Sequence, residues 1–163
     1  MTALPVVVMG VSGVGKSTIG RGVAQRLDVP YVDGDALHSQ HNIDKMARGQ
    51  ELTHADRGPW LDRVGRWLAA HEAGGVVSCS ALLRRYRDII RSHAPDAWFA
   101  LLTAEPSVLR DRMHNRDHFM PASLLSSQLA TLEPLEPDEH GSMYGNDSID
   151  FLVNEIIADA KCY

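Results

Sequence analysis

The residues with the clearest chemical meaning lie near the start of the chain. Residues 10–17 read Gly-Val-Ser-Gly-Val-Gly-Lys-Ser and match the phosphate-loop pattern G-x-x-x-x-G-K-[ST] in full. Glycines let successive backbone N–H groups face a phosphate, and Lys16 is expected to bridge the β- and γ-phosphates of a nucleotide. The Ser17 hydroxyl is expected to bind Mg²⁺. A chance glycine-rich turn is the alternative, which the lysine and serine argue against. The predicted nucleotide contacts are Gly10, Val11, Ser12, Gly13, Val14, Gly15, Lys16, Ser17 and Thr18.

A second group of polar residues follows the next apolar run. Asp33 and Asp35 are two residues apart at a predicted strand end, where an extended backbone points both side chains the same way. One carboxylate could hold Mg²⁺ through water while the other accepts a hydrogen bond from an attacking hydroxyl. We assign Asp35 as catalytic base and, with Ser17, as metal residue. Asp33 is placed toward the substrate, and which aspartate is the base stays open. The alternative is that Asp35 only caps the following helix. His38, one turn into that helix, is expected to face the same cleft.

Two arginines late in the chain have the spacing of a nucleotide clamp. Arg112 and Arg116 are four residues apart on a predicted helix end, and therefore share a face. Guanidinium groups stack on adenine and bind phosphate oxygens in pairs. We predict that Arg112 contacts the nucleotide and that Arg116 stabilises the transferring phosphoryl group, within a lid over about 112–125. Two solvated arginines on a polar helix are the alternative.

The segment after the third apolar run suits an anionic acceptor. Ser80 is expected at the carboxyl end of a strand, with Arg84 and Arg87 within two helical turns. A single arginine can hold a carboxylate with two hydrogen bonds. Arg57, near the start of a long predicted helix, is a similar candidate. An ordinary basic helix face is the alternative for each of these arginines.

Short apolar runs alternate with helical patterns along the chain. Such an alternation predicts an α/β fold with a parallel sheet covered on both faces, whose ligands bind beyond the carboxyl ends of the strands. Trp60 and Trp67 lie on one apolar helix stripe and are assigned to the core. The strands are predicted at 5–9, 29–32, 76–79 and 97–102, and the helices at 18–27, 36–48, 53–73, 82–93, 106–114, 121–132 and 149–160.

Composition limits the class of protein. The 163 residues are expected to form a single domain over 1–163, and the formal net charge of −5 argues against a nucleic-acid partner. No apolar run approaches the roughly 18 residues of a membrane span, so no membrane partner is expected. Cys79 and Cys162 form neither a disulfide framework nor a metal-ligand spacing, which favours the cytoplasm.

Taken together, these segments resemble the gluconate kinase family of small P-loop kinases. The resemblance rests on residues 9–17, Asp33-Gly-Asp-Ala-Leu-His38, 42–46, Leu52, 56–57, 59–61, Cys79-Ser-Ala-Leu82, 86–88, Arg112, Arg116, 118–120, 127–128 and 131–133. It implies ATP-dependent phosphorylation of D-gluconate at its 6-hydroxyl with Mg²⁺, a central P-loop strand in a sheet of about five strands, a mobile lid and a homodimer. It also implies that His38, Arg57 and Arg87 line the acid substrate.

Two departures from that family and three alternatives accompany the resemblance. One residue separates Arg116 from His118, where the family usually has two, and residues 142–148 are polar where the family has an apolar fifth strand. We therefore expect that strand to be short or poorly formed. The alternatives are a shikimate kinase, a nucleoside-monophosphate kinase and a nucleotide-sensing switch. The turn after the third strand lacks the glycines of shikimate kinases, and no Asn-Lys-x-Asp motif of a GTPase switch occurs.

Overall fold

The protein is built on a five-stranded parallel sheet. The computed structural model describes residues 4–114 and 122–162. The strands are β1 (Val6–Met9), β2 (Tyr31–Asp33), β3 (Val76–Ser78), β4 (Trp98–Leu102) and β5 (Gly141–Tyr144), in the spatial order β2-β3-β1-β4-β5. All four pairings are parallel, and Val7 pairs with Val77 on one side and Phe99 on the other. The prediction of an α/β fold with the P-loop strand at the centre is confirmed.

Seven α-helices and one 3₁₀ helix are present in the described part of the chain. The 3₁₀ helix spans Gly34–Leu37. The α-helices are α1 (Lys16–Leu27), α2 (Gln40–Ala47), α3 (His54–Ala69), α4 (Arg84–His93), α5 (Pro106–His114), α6 (Ala122–Thr131) and α7 (Ile149–Lys161). None of the helices in the described ranges is long and apolar enough to cross a lipid bilayer.

The core forms two layers because β1 and β4 are buried on both faces. Val6 and Val8 pack on one side of the sheet, in a cluster that contains Val23 of α1 and Ile156 of α7. Val7 and Met9 pack on the opposite side, against α3 and α4. Continuous apolar strands are needed for this arrangement, since either face of a strand would otherwise expose a polar side chain to the core. Because β1, β2 and β3 pair in parallel, their carboxyl ends lie at the same end of the sheet.

The single helix predicted over 36–48 is wrong. The chain forms the 3₁₀ helix Gly34–Leu37, becomes extended at His38 and Ser39, and then starts α2 at Gln40. The Ser39 hydroxyl accepts a hydrogen bond from the Asn42 N–H at 3.2 Å and so caps α2. This break matters for the site, because it turns the His38 side chain away from the helical path.

The fifth strand is present despite its polar sequence. Residues Phe99 to Leu102 of β4 pair in register with Gly141 to Tyr144. A Cβ at position 141 would lie 2.3 Å from the Phe99 carbonyl oxygen, so only glycine lets β5 approach so closely. Tyr144 is buried, and its hydroxyl accepts from Trp98 Nε1 at 3.1 Å and donates to Asp159 Oδ2 at 2.8 Å. Main-chain pairing and one buried side chain therefore suffice for an edge strand.

Candidate active site

The phosphate loop joins β1 to α1 in a conformation that depends on its glycines. Gly10, Gly13 and Gly15 have φ angles of 145°, 82° and 102°, which favour glycine. Lys16 begins α1, and its Nζ donates to the Val11 carbonyl at 3.0 Å. Burial lowers the pKa of Lys16, and the nearby Asp35 opposes that change. The lysine is thus held at the loop itself, as a phosphate-binding role requires.

Asp33 connects the end of β2 to the phosphate loop. Its Oδ2 accepts a hydrogen bond from the Ser17 hydroxyl at 3.2 Å, and its Oδ1 accepts from the Asp35 N–H at 3.0 Å. Asp33, and not Asp35, is therefore the residue that caps the helix after β2. Both carboxylate oxygens of Asp33 are engaged, which fixes the side chain against Ser17. The metal role predicted for Asp35 fits Asp33 better, because Asp33 is the carboxylate that touches the serine.

Asp35 is the second carboxylate of this turn, and its side chain lies at the surface. Although it is partly exposed, desolvation by the surrounding protein raises its pKa, and the negative charge of Asp33 raises it further. Lys16 acts in the opposite direction. A carboxylate with a raised pKa is a stronger base, and it binds a proton more readily than an ordinary surface aspartate.

The glycine between the two aspartates is required by close packing. A Cβ on Gly34 would lie 2.6 Å from the Ser78 carbonyl oxygen of β3. The Gly34 carbonyl accepts a hydrogen bond from Trp60 Nε1 at 2.8 Å. Trp60 is buried as predicted, yet its indole also fixes the turn that carries both aspartates. Sequence periodicity alone could not reveal this second role, since it reports only which helix face is apolar.

His38 is held as a neutral donor beside this turn. Its ring stacks on Trp60 with centroids 4.1 Å apart. Asn42 Nδ2 donates to the Asp56 carbonyl at 3.0 Å and lies 3.2 Å from His38 Nδ1. Because a carbonyl only accepts, Nδ2 is the amide nitrogen, and His38 Nδ1 accepts its second hydrogen. Burial, with the charges of Arg57 and Arg63, lowers the pKa of His38 to about 4. The ring therefore carries its proton on Nε2 at neutral pH.

Arg57 lies near His38 and is oriented by a tyrosine. Its Nη1 donates to the Tyr86 hydroxyl at 3.2 Å, and the same hydroxyl lies 2.5 Å from His54 Nδ1. Tyr86 comes from α4, so this contact ties α3 to α4 next to the cleft. Tyr86 lies in one of the segments that carry the family resemblance, but no local pattern predicts this role for it.

Arg112 reaches the phosphate loop from α5. Its Nη1 donates to the carbonyls of Gly13 and Val14 at 3.1 and 3.4 Å, and its Nη2 donates to Asn146 Oδ1 at 2.9 Å. Asn146 follows β5, so Arg112 joins the loop to the β5–α7 connection. Arg116, the predicted partner of Arg112, lies outside the described residues, as does half of the predicted lid.

Two arginines predicted to line the substrate are committed elsewhere. Arg87 is 0% exposed, and its Nε and Nη2 donate to Glu139 at 2.7 and 3.0 Å. Arg84 pairs with Glu136 and Asp138 at the surface. The substrate roles predicted for Arg84 and Arg87 do not fit this structure, because acidic partners from the loop after α6 already bind both guanidinium groups. Ser80 does follow β3 as predicted and is half-buried.

The site and the sheet together define a P-loop kinase. The family model described as "Shikimate kinase" matches residues 12–133. A gluconokinase of Gluconobacter oxydans is 49% identical over 139 residues, covering 82% of this chain and 77% of the relative. The thermosensitive gluconokinase of Escherichia coli is 42% identical over 82% of this chain and 73% of its own. The crystal structure of a gluconokinase from Sinorhizobium meliloti has a TM-score of 0.88 at 44% identity, covering 99% of this chain and 93% of that chain.

These relatives place the protein more narrowly within the P-loop kinases. The chain belongs to the gluconokinase family. The sequence-based resemblance to that family is confirmed, and the protein is a phosphotransferase that acts on an alcohol group.

Proposed function

We propose that this protein transfers the terminal phosphoryl group of ATP to the 6-hydroxyl of D-gluconate. The observation that carries the proposal is the position of Asp35. A carboxylate of raised pKa lies beside the phosphate-loop lysine, on a turn that Ser17 and Trp60 hold from two sides. A nucleotide in the loop and a hydroxyl at Asp35 would meet at this edge of the sheet. Family membership supplies the acceptor, since the curated relatives are named gluconokinases.

The residues present fit a magnesium ion. The Ser17 hydroxyl and the Asp33 carboxylate lie 3.2 Å apart, and oxygen ligands of this kind are those that Mg²⁺ prefers. Ser17 would hold the ion directly, with Asp33 beside it. When bound, Mg²⁺ neutralises charge on the β- and γ-phosphates.

The chain's own residues would perform the remaining steps. The oxygen of the substrate hydroxyl bonds to the γ-phosphorus while Asp35 accepts the hydroxyl proton. The bond from that phosphorus to the ADP oxygen breaks. Lys16 and the loop N–H groups stabilise the negative charge on the phosphate oxygens. His38 Nε2 donates to a substrate oxygen, and Arg57 binds the substrate carboxylate. As predicted from the sequence, Arg116 would stabilise the transferring phosphoryl group. Arg112 would contact the nucleotide.

We further propose that residues 1–163 act as one kinase domain with a lid over about 112–125. Cys79 is buried and Cys162 is exposed, and neither forms a disulfide, which supports action in the reducing cytoplasm. Homodimer formation stays a prediction from the family resemblance, and analytical ultracentrifugation tests it.

A coupled assay of ADP release tests the function. D-Gluconate, shikimate, AMP and buffer alone are compared as acceptors at equal ATP and Mg²⁺. We expect gluconate to raise the rate well above the rate without acceptor. No stimulation by gluconate would contradict the proposal, and phosphorus NMR of the product establishes which hydroxyl is modified.

Shikimate is the second candidate acceptor because the matching family model carries that description. The segment after β3 weakens this candidate, since it reads Cys79-Ser-Ala-Leu82 without a glycine-rich turn. Ala81 nevertheless adopts a φ of 41°, a left-handed conformation that glycine would favour. The backbone at Ala81 thus has a conformation typical of glycine, although the segment contains no glycine. The shikimate arm of the assay separates the two acceptors.

A further inference from the structure

One side chain from α6 touches the phosphate loop. The Ser12 N–H donates to Gln128 Oε1 at 2.7 Å, across 116 residues of sequence. An N–H group requires an oxygen acceptor, so the orientation of the Gln128 amide is fixed by this contact. The same helix is anchored on both sides of Gln128. Leu125 is 1% exposed in the core, and the Glu133 N–H just beyond the helix donates to the Leu82 carbonyl at 2.8 Å.

The Ser12 N–H and the Val11 carbonyl belong to one peptide unit. Gln128 accepts from the N–H of this unit, and Lys16 Nζ donates to its carbonyl at 3.0 Å. A trans peptide is planar and its N–H and C=O point in opposite directions, so fixing one fixes the other. Gln128 and Lys16 are therefore connected through a single rigid group.

The connection between Gln128 and Lys16 affects where the positive charge of Lys16 is held in the phosphate loop. Lys16 is half-buried, and an ammonium group drawn away from water needs hydrogen-bond acceptors. The Val11 carbonyl is an acceptor that Lys16 contacts. If the peptide rotated, its carbonyl would leave Lys16.

We propose that Gln128 is a positioning residue for the phosphate-loop lysine, acting through the Val11–Ser12 peptide. It holds the carbonyl toward Lys16 and so keeps the ammonium group at the loop before the nucleotide binds. The effect on phosphoryl transfer rests on the proposed function. The effect on nucleotide binding does not, because it concerns ATP and the loop alone.

The test is a double-mutant cycle on nucleotide binding. Gln128→Met keeps the length of the side chain and removes the strong acceptor, and Gln128→Asn keeps the amide but shortens its reach by one methylene. Each is combined with Lys16→Met, and calorimetry measures the affinity for a non-hydrolysable ATP analogue with Mg²⁺. With Lys16 present, we expect either Gln128 variant to weaken binding about fivefold, the effect of one hydrogen bond. With Met at position 16, the same changes should have almost no effect, because the group they position is gone.

Gln25→Met is the matched control, since Gln25 is exposed on α1 and this change leaves the loop untouched. We expect the control to bind the analogue like the wild type, and the midpoint of thermal unfolding to shift by little in all single variants. Unchanged affinity in both Gln128 variants would overturn the proposal. An equal loss with and without Lys16 would also overturn it, because Gln128 would then only brace the loop. If gluconate fails to stimulate ADP release while the cycle shows coupling, the proposed function fails and the role of Gln128 stands.

Discussion

Substitution of Glu139 by alanine separates a structural role of Arg87 from a role in substrate binding. Both side chains are completely shielded from solvent. The Glu139 carboxylate accepts from Arg87 Nε at 2.7 Å, from Arg87 Nη2 at 3.0 Å and from the Glu136 N–H at 2.8 Å, and it also contacts Arg91. Removing it leaves the Arg87 guanidinium buried without its counter-charge.

The expected loss of stability follows from that burial. Breaking a buried ion pair by removing one partner costs about 3–5 kcal/mol. For a chain of 163 residues, each 1 kcal/mol shifts the unfolding midpoint by roughly 2–4 °C, so a decrease of about 10 °C is expected. Asp138→Ala is the matched control, because Asp138 pairs with Arg84 at the surface with 67% of its side chain exposed. We expect this control to melt close to the wild type, since exposed pairs contribute little.

Differential scanning fluorimetry and steady-state kinetics below the melting transition together test this reasoning. Glu139→Ala should melt early while its KM for gluconate stays within about twofold of the wild-type value, since a buried pair does not touch the substrate. A normal melting midpoint together with a KM raised tenfold would refute the reasoning. It would indicate that Arg87 binds the substrate. The difference in unfolding midpoint between the wild type and Glu139→Ala should also become smaller at acidic pH. Burial alone would raise the pKa of Glu139, but hydrogen bonds from Arg87 and Arg91 hold it below its ordinary value of 4.5. Its contribution is therefore complete above about pH 4.5 and is lost as the pH falls through the lowered pKa.

Four further predictions concern the active site. Lys16→Ala should lower kcat by about 10²–10³, the effect of removing a key charge stabiliser, and near-normal turnover would exclude its phosphate role. Asp35→Asn should lower kcat by about 10²–10⁴ while nucleotide affinity, measured by calorimetry, stays nearly constant; the reverse pattern would make Asp35 a metal residue. In the wild type, kcat should fall on the acid side at a pH above 3.8, because the pKa of Asp35 is raised and only its ionised form accepts a proton. Trp60→Phe leaves the Gly34 carbonyl without its indole donor, and we expect it to raise the KM for gluconate several-fold; an unchanged KM would show that the turn is held without Trp60.

The phosphate loop shows how much local sequence can predict. Its glycines, Lys16 and Ser17 are contiguous, and the loop lies between a buried strand and a helix as expected. The parallel sheet was predictable for a similar reason, because continuous apolar runs alternate with helical periodicity. Sequence patterns of this kind depend on neighbours within a few residues. They therefore carry over to the structure.

The two aspartates show where local reasoning ends. Their spacing predicted that both would lie at the strand end, and both do. Spacing could not assign the partner of Asp33, because the Ser17 hydroxyl reaches it only once β2 has taken its place in the sheet. The hydrogen bond from the Asp35 N–H to Asp33, in contrast, is local. Capping was only the alternative for Asp35, and the structure gives the capping role to Asp33.

What the sequence alone determined is the class of site and the scaffold: a nucleotide loop on a parallel sheet, two carboxylates nearby, and a family that the matching segments identify. Only the tertiary structure decided which charged groups are available to ligands. Arg57 donates to the uncharged Tyr86 hydroxyl, whereas Arg87 and Arg84 are bound by carboxylates of the acidic loop some 50 residues later. An arginine in a sequence carries the same charge in either setting. Its function depends on which carboxylate the fold brings to it, and that carboxylate lies far away in sequence.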